Sequence, residues 1–296
     1  MSNELGEFLR ARRARIAPES VGLPRGARRR VPGLRRDELA RLAGVSVEYY
    51  TRLEQGRSPN VSDSVLDAIG SVLSLNETEL EHLRTLVRPT RRARPSPRGA
   101  SKATKVRPTV QAMLDQLDRL PAVVLGPALD VLAWNRLADA MYDFTGKDDT
   151  NMARHVFRDP DAAVYYPEWD RVARETVANL RLMAARHPDN PRLESVIGEL
   201  AMHSQQFREL WAHHDVMEKS FGHKAVGHPL VGRMDLGYET FPLTGEQDMI
   251  LVIYMPEPGS ASAEKLALLA SWSVPELEGQ LAERGVPGLT PDGAEG

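Results

Sequence analysis

A chain of 296 residues, 42% hydrophobic and 27% charged, is long for one core and too apolar for a disordered polymer, so two folded domains are expected. The absence of cysteine excludes disulfides, thiolate metal sites and a cysteine nucleophile. The net charge of −3 conceals two opposite halves: residues 1–108 carry 22 Lys and Arg against 12 Asp and Glu, while residues 109–296 carry 16 against 29, so only the first half suits a polyanion. Neither a long apolar run nor a basic-then-apolar leader is read, and a cytoplasmic location without membrane attachment is expected.

Residues 3–16 place Leu5, Phe8, Leu9 and Ile16 at helical spacings with Arg10, Arg12, Arg13 and Arg15 opposite, which predicts an amphipathic helix. Pro18, Gly22, Pro24, Gly26, Pro32 and Gly33 rule out a regular element over 17–33, and four arginines between 25 and 30 make that stretch a basic surface arm. Short helical patterns over 34–86, with a cap at Asn76, bring the count to about five helices in an all-α domain, 1–88. Residues 89–108, rich in Pro, Arg and Ser, read as a basic linker. Beyond it the chain predicts a helix at 110–120, short strands at 123–125 and 129–134, and a helix from Asn135. Residues 150–218 read as helical, with long segments at 169–185 and 193–213. A half-buried strand at 234–238, a turn at 244–246, a buried strand at 249–255 and a helix at 263–272 complete the pattern. Residues 109–272 therefore form an α+β domain, and 273–296 a tail that is disordered from 285.

The stretch 36–55 has the residues that two short helices crossing steeply require. Ala40 is small where they touch, Gly44 supplies a positive φ, Val45, Tyr50 and Leu53 fill the shared core, and Ser46 caps the second helix. Val47, Glu48, Thr51 and Arg52 then project from the second helix as candidates to meet base edges. Arg52 suits guanine, Glu48 the cytosine amine, and Val47 or the Thr51 methyl a thymine methyl. Arg35, Arg36, Arg57 and the Asn60 amide are candidate phosphate ligands. Through Leu39-Ala40, Gly44-Val45-Ser46, Tyr50, Leu53-Glu54 and Gly56, residues 3–87 resemble the Xre/Cro-like helix-turn-helix family. That resemblance implies binding to a double-stranded DNA operator, and symmetric readout of an inverted repeat by a homodimer is expected because one helix reads only a few base pairs.

Residues 106–272 resemble the ligand-binding domain of MmyB-like actinobacterial regulators. The likeness rests on 133–138 (Ala-Trp-Asn-Arg-Leu-Ala), 176–181 (Thr-Val-Ala-Asn-Leu-Arg), 207–216 (Phe-Arg-Glu-Leu-Trp-Ala-His-His-Asp-Val), 228–232 (His-Pro-Leu-Val-Gly) and 257–260 (Glu-Pro-Gly-Ser). It implies a PAS-like fold, a small antiparallel sheet covered by helices, and a small hydrophobic or fatty-acid-like ligand. Read from the residues, Trp134, Met141, Tyr142, Phe144, Trp169, Val177, Leu180, Met183, Phe207 and Trp211 either line a cavity or fill a core. Arg174 and Arg181, two helical turns apart, are candidates to clamp a carboxylate. His203, His213, His214, His223 and His228 lack metal-ligand spacing, so no metal or other cofactor is expected, and no hydrolase, kinase or dehydrogenase motif supports an enzyme. A repressor whose second domain only dimerises, and an enzyme with an appended DNA-binding domain, stay open as alternatives to a sensor.

Overall fold

The computed structural model describes residues 4–24, 31, 33–57, 61–87, 106–147, 149–245 and 249–272. Residues 25–30 and 32 of the expected basic arm at 17–33, most of the 89–108 linker, Asn60, Glu246 of the expected turn and the 273–296 tail lie outside the described residues, and the described part of the arm, expected to hold no regular element, contains a 3-10 turn at Pro18–Val21 that opens on a proline and closes on Gly22 at φ 75°.

The first region is all-α, with α1 (Glu4–Arg15), a 3-10 turn (Pro18–Val21), α2 (Arg36–Leu42), α3 (Val47–Glu54), α4 (Asp63–Val72) and α5 (Glu77–Val87). Helix α1 buries Leu5, Phe8, Leu9 and Arg12, a stripe at helical spacing, with Glu4 and Glu7 in its first turn and three arginines in its last turn complementing the helix dipole. At α5 the Asn76 side chain accepts from the Glu79 amide at 2.9 Å and Glu79 accepts from the Asn76 amide at 3.0 Å, a reciprocal cap. Gly44 adopts φ +69°, and the Val45 amide reaches back to the Ala40 carbonyl at 2.9 Å, which stops α2 and turns the chain into α3.

The second region contains α6 (Pro108–Asp115), β1 (Ala122–Leu125), β2 (Val131–Trp134), α7 (Arg136–Tyr142), α8 (Met152–Phe157), α9 (Ala162–Tyr165), α10 (Trp169–Arg186), α11 (Pro191–His203) and α12 (Gln205–Trp211). It closes with β3 (Phe221–His228), β4 (Gly232–Pro242), β5 (Ile250–Pro256) and α13 (Ala261–Trp272). The strands make one antiparallel sheet in the order β2-β1-β5-β4-β3, the α+β, PAS-like arrangement expected. Alternation splits its side chains: Val123, Leu125, Val252, Tyr254, Leu236 and Val226 join the main core, while Ala122, Val124, Ala133 and Leu251 meet Val110 and Leu114 of α6 on the other face.

Strand β3 is absent from the sequence reading because Gly222, Lys224 and Gly227 are poor strand formers, and it is pairing with β4 across eight residues that settles it. The single helix expected at 193–213 is broken at Ser204, whose extended backbone ends α11 and whose hydroxyl accepts from the Phe207 amide at 3.1 Å to start α12. Two of the family-resemblance motifs hold structural residues. Buried Asn135 accepts from the Ala122 and Ala138 amides and donates to the Leu117 and Leu120 carbonyls. His228 donates through Nε2 to the Ala140 carbonyl at 3.1 Å and accepts through Nδ1 from the Leu230 amide, shaping the β3–β4 turn.

Candidate functional site

Helix α3 buries Tyr50, Leu53 and Glu54 and turns the rest of its surface outward. The Ser46 hydroxyl caps it, accepting from the Tyr49 amide at 3.1 Å. Val47, Glu48 and Arg52 are exposed and Thr51 is partly so; at spacings of one, four and five residues they share one face. Glu54, 1% exposed, anchors the helix from behind: it accepts from Arg13 Nε of α1 at 3.1 Å, Arg36 Nε of α2 at 2.5 Å and the Tyr50 hydroxyl at 3.3 Å. Burial, with the Glu54 charge beside it, raises the Tyr50 hydroxyl pKa, so it stays a proton donor. Arg36, expected at phosphate, is thus also a structural tie between α2 and α3, its side chain 49% exposed. Arg35 and Arg57 are exposed at the flanks of the two helices.

The expected ligand residues divide between three surroundings. Trp134, Tyr142 and Phe144 form one aromatic group with Tyr165, Tyr254 and His155. Trp169, Phe207 and Trp211 form a second with Phe157, and the Trp169 indole donates to the Val156 carbonyl at 2.9 Å. Met141, Val177, Leu180 and Met183 are core. Tyr142 and Phe144 border an open groove of about 300 Å³, together with Lys147, Asn151, Arg154 and His155.

Arg174 and Arg181 do not form the expected clamp. Arg174 is exposed, whereas Arg181, 2% exposed, stacks 4.1 Å over the Trp211 ring, donates to the Trp211 carbonyl and lies 3.5 Å from Glu4 of α1. A two-turn spacing puts both on one helix face but not at one depth, because Arg181 is buried between Trp211 and Glu4 while Arg174 stays exposed.

Arg181 instead belongs to a seam between the two regions. Arg12 reaches Glu79 at 2.8 Å, the His214 carbonyl at 3.2 Å and Asp215 at 3.4 Å, while Arg15 reaches Asp215 at 2.6 Å and the His213 carbonyl at 2.7 Å. His82 of α5 is buried in the seam with its ring edge-on to Phe8. None of these contacts uses the outward face of α3.

A second, smaller and partly open cavity lies between α10 and the sheet. Leu129, Val172, Glu175, Thr176, Asn179, Met217, Lys219, Lys224 and Tyr238 line it, and it holds about 20 Å³, room for one water. Sequence reasoning missed all nine, since recognising Lys224 requires knowing that β3 is a strand and that residues 224, 226 and 228 point inward. Burial pushes Lys219 down to about 8 and Lys224 well below the usual lysine range. Among the described residues no group of three metal-ligating side chains occurs, and no helix is long and apolar enough to cross a membrane.

Comparison with known families agrees with this division. Residues 4–83 match a helix-turn-helix domain, and residues 106–269 match the MmyB-like transcription regulator ligand binding domain. No curated protein matches the chain. Since the second match spans more than half of the sequence and takes in the whole β2-β1-β5-β4-β3 sheet, the chain belongs to the MmyB-like transcription regulators, with a helix-turn-helix domain ahead of their ligand-binding domain.

Proposed function

We propose that this regulator is a cytoplasmic, non-enzymatic homodimer that reads an inverted repeat through α3 and changes its grip on DNA when a small, largely apolar ligand enters the second domain. The observation that carries the DNA half is the outward face of α3. Val47, Glu48, Thr51 and Arg52 lie together on a capped helix whose other side is locked by Glu54, so binding costs little ordering of the reading surface. Arg35 and Arg57 flank it as phosphate contacts that position without specifying, with Asn60 a further one.

Arg52→Ala should cost about 1–3 kcal/mol on the preferred site and relax the preference at one base pair, as measured by titration against a library of operators. Arg57→Ala should weaken all sequences alike and reduce the slope of affinity against salt by about one ion. An Arg52→Ala protein with unchanged affinity and preference would remove α3 as the reading helix. Light scattering of the operator complex should give two copies per site, with half-sites about 34–36 Å apart.

A further inference from the structure

Beyond Lys265, helix α13 carries no charge on any side. Ser262, Leu266 and Leu269 are buried against the domain, and the opposite side, which is polar in a helix that faces water, carries Ala267, Leu268, Ser271 and Trp272. Leu268 is 44% and Trp272 56% exposed. Lys265, Leu268 and Trp272 follow one another at three and four residues, so they form one stripe along a helix about 18 Å long. The β3–β4 turn extends that surface. Lys265 donates to the Arg233 carbonyl at 2.8 Å, and its ammonium comes within 4.0 Å of where a Gly232 Cβ would stand. The turn is held in shape by the His228 ring, which accepts from the Leu230 amide, and by Gly232 at φ +73°, yet the Leu230 side chain that it presents is 69% exposed. An apolar tip on a shaped turn beside an apolar helix face is a surface suited to contact with protein.

We propose that two copies of the chain meet on this surface, α13 against α13 in antiparallel about a twofold axis near Leu268. The proposal rests on the reading of the regulator as a homodimer. A second copy is the occupant that the residues favour, because the surface complements itself. Antiparallel pairing brings the charged first half of one helix onto the apolar second half of the other. Leu268 then meets Leu268, and each Lys265 ammonium, with donors left after its one carbonyl bond, comes over the Trp272 ring of the other copy. A parallel pairing would set Lys265 beside Lys265. Ala267 and Ser271 are small enough to let the two helices approach closely. One helix stripe and one turn fall short of the roughly 800 Å² per partner that a stable dimer buries, so the free protein associates reversibly, and an operator that holds two copies side by side completes the pairing.

The chain has no cysteine, so a single introduced thiol reports on its own surroundings. In the full-length protein Leu268→Cys, close to the axis, should give a disulfide-linked dimer on oxidation with copper phenanthroline, and Phe221→Cys, 71% exposed on β3, at least about tenfold less. In sedimentation velocity the free parent should pass from monomer to dimer as its concentration rises. Leu268→Lys should raise that midpoint at least about tenfold without lowering the melting temperature, since the side chain it replaces is exposed. Leu230→Lys, on the turn, should raise it at least about threefold and is the deciding variant if Leu268→Lys fails to fold. A parent that dimerises while both folded lysine variants dimerise equally well, or a Leu268→Cys protein that cross-links no better than Phe221→Cys, overturns the interface. So does a free parent that stays monomeric at every concentration. The operator complex separates these failures from that of the homodimer reading: two copies on the operator leave the homodimer standing with its interface elsewhere, and one copy refutes both.

Discussion

At the scale of single residues, the reading surface depends on groups that never face DNA. Glu54 is the shared acceptor for α1, α2 and α3, and removing it leaves two guanidinium groups and a buried hydroxyl without their partner. Glu54→Ala should therefore destabilise the protein by about 3 kcal/mol, measured by denaturant unfolding, although the residue sits on the recognition helix itself. Ser74 presents the opposite case. It ends α4 at φ 52° while the Leu75 amide reaches back to the Gly70 carbonyl at 2.9 Å, a conformation that glycine adopts without strain. Ser74→Gly should stabilise by about 1 kcal/mol, and an unchanged or lower melting temperature would show that the unfolded-state entropy of the added glycine outweighs the relief. Gly33 cannot be treated the same way: a Cβ there would lie 2.2 Å from the Arg13 carbonyl oxygen, so Gly33→Ala forces α1 and the chain entering α2 apart.

At the scale of elements, α10 serves two neighbours at once. Val172, Glu175, Thr176 and Asn179 face the smaller cavity, and two residues on from Asn179 the same helix presents Arg181 to Glu4 of α1. The segment after α12 repeats the pattern. The His213 and His214 carbonyls and Asp215 receive Arg12 and Arg15, and Met217 and Lys219 form cavity wall. Met217 lies two residues from Asp215, so the cavity wall and the seam are parts of one short segment. The exposed Arg15–Asp215 pair contributes little by itself, whereas buried Arg181 combines stacking, a carbonyl bond and an ion pair. Arg181→Ala should speed hydrogen exchange in 4–15 and 211–219 while leaving β1 and β5 protected. Arg181→Lys should not restore protection, because an ammonium offers neither the plane nor the fork.

At the scale of the whole molecule, the seam and the core both hold histidines that resist protonation. Burial, reinforced by Arg181, Arg12 and Arg186, lowers His82 to about 3; burial lowers His155 to about 4 and, with Arg181, Arg10, Arg12 and Arg15 adding to it, His214 to about 4. Each is neutral in the folded chain over a range where the unfolded chain binds a proton below about 6.5. The unfolded state therefore takes up more protons as pH falls. Stability is complete above about pH 6.5 and declines from there toward pH 4, by up to ~1.4 kcal/mol per pH unit for each fully neutral histidine. Denaturant midpoints taken from pH 7.5 to 4.5 should fall accordingly. His82→Leu should flatten the curve, since leucine fills the space against Phe8 without a proton to gain; an unflattened curve would place the acid sensitivity elsewhere.

Local patterns in the chain were enough to define the helix-turn-helix: helical spacing, Gly44, the Ser46 cap and the Asn76 cap act within four or five residues of themselves, and periodicity then gives the outward set on α3. The all-α first region and the α+β character of the second were legible for the same reason, as charge and hydropathy change along the chain. The cavity was not. Its nine lining residues come from the loop before β2, from α10, from the segment after α12 and from β3 and β4, and only the antiparallel pairing of the sheet brings Lys224 beneath α10. Aromatic density pointed instead to Trp169, Phe207 and Trp211, which pack with Phe157 in the helical layer, and the Arg174–Arg181 spacing pointed to a clamp, whereas Arg181 is buried against Trp211 and Glu4. Which charges are buried together depends on contacts between distant segments, and those are decided by packing in three dimensions.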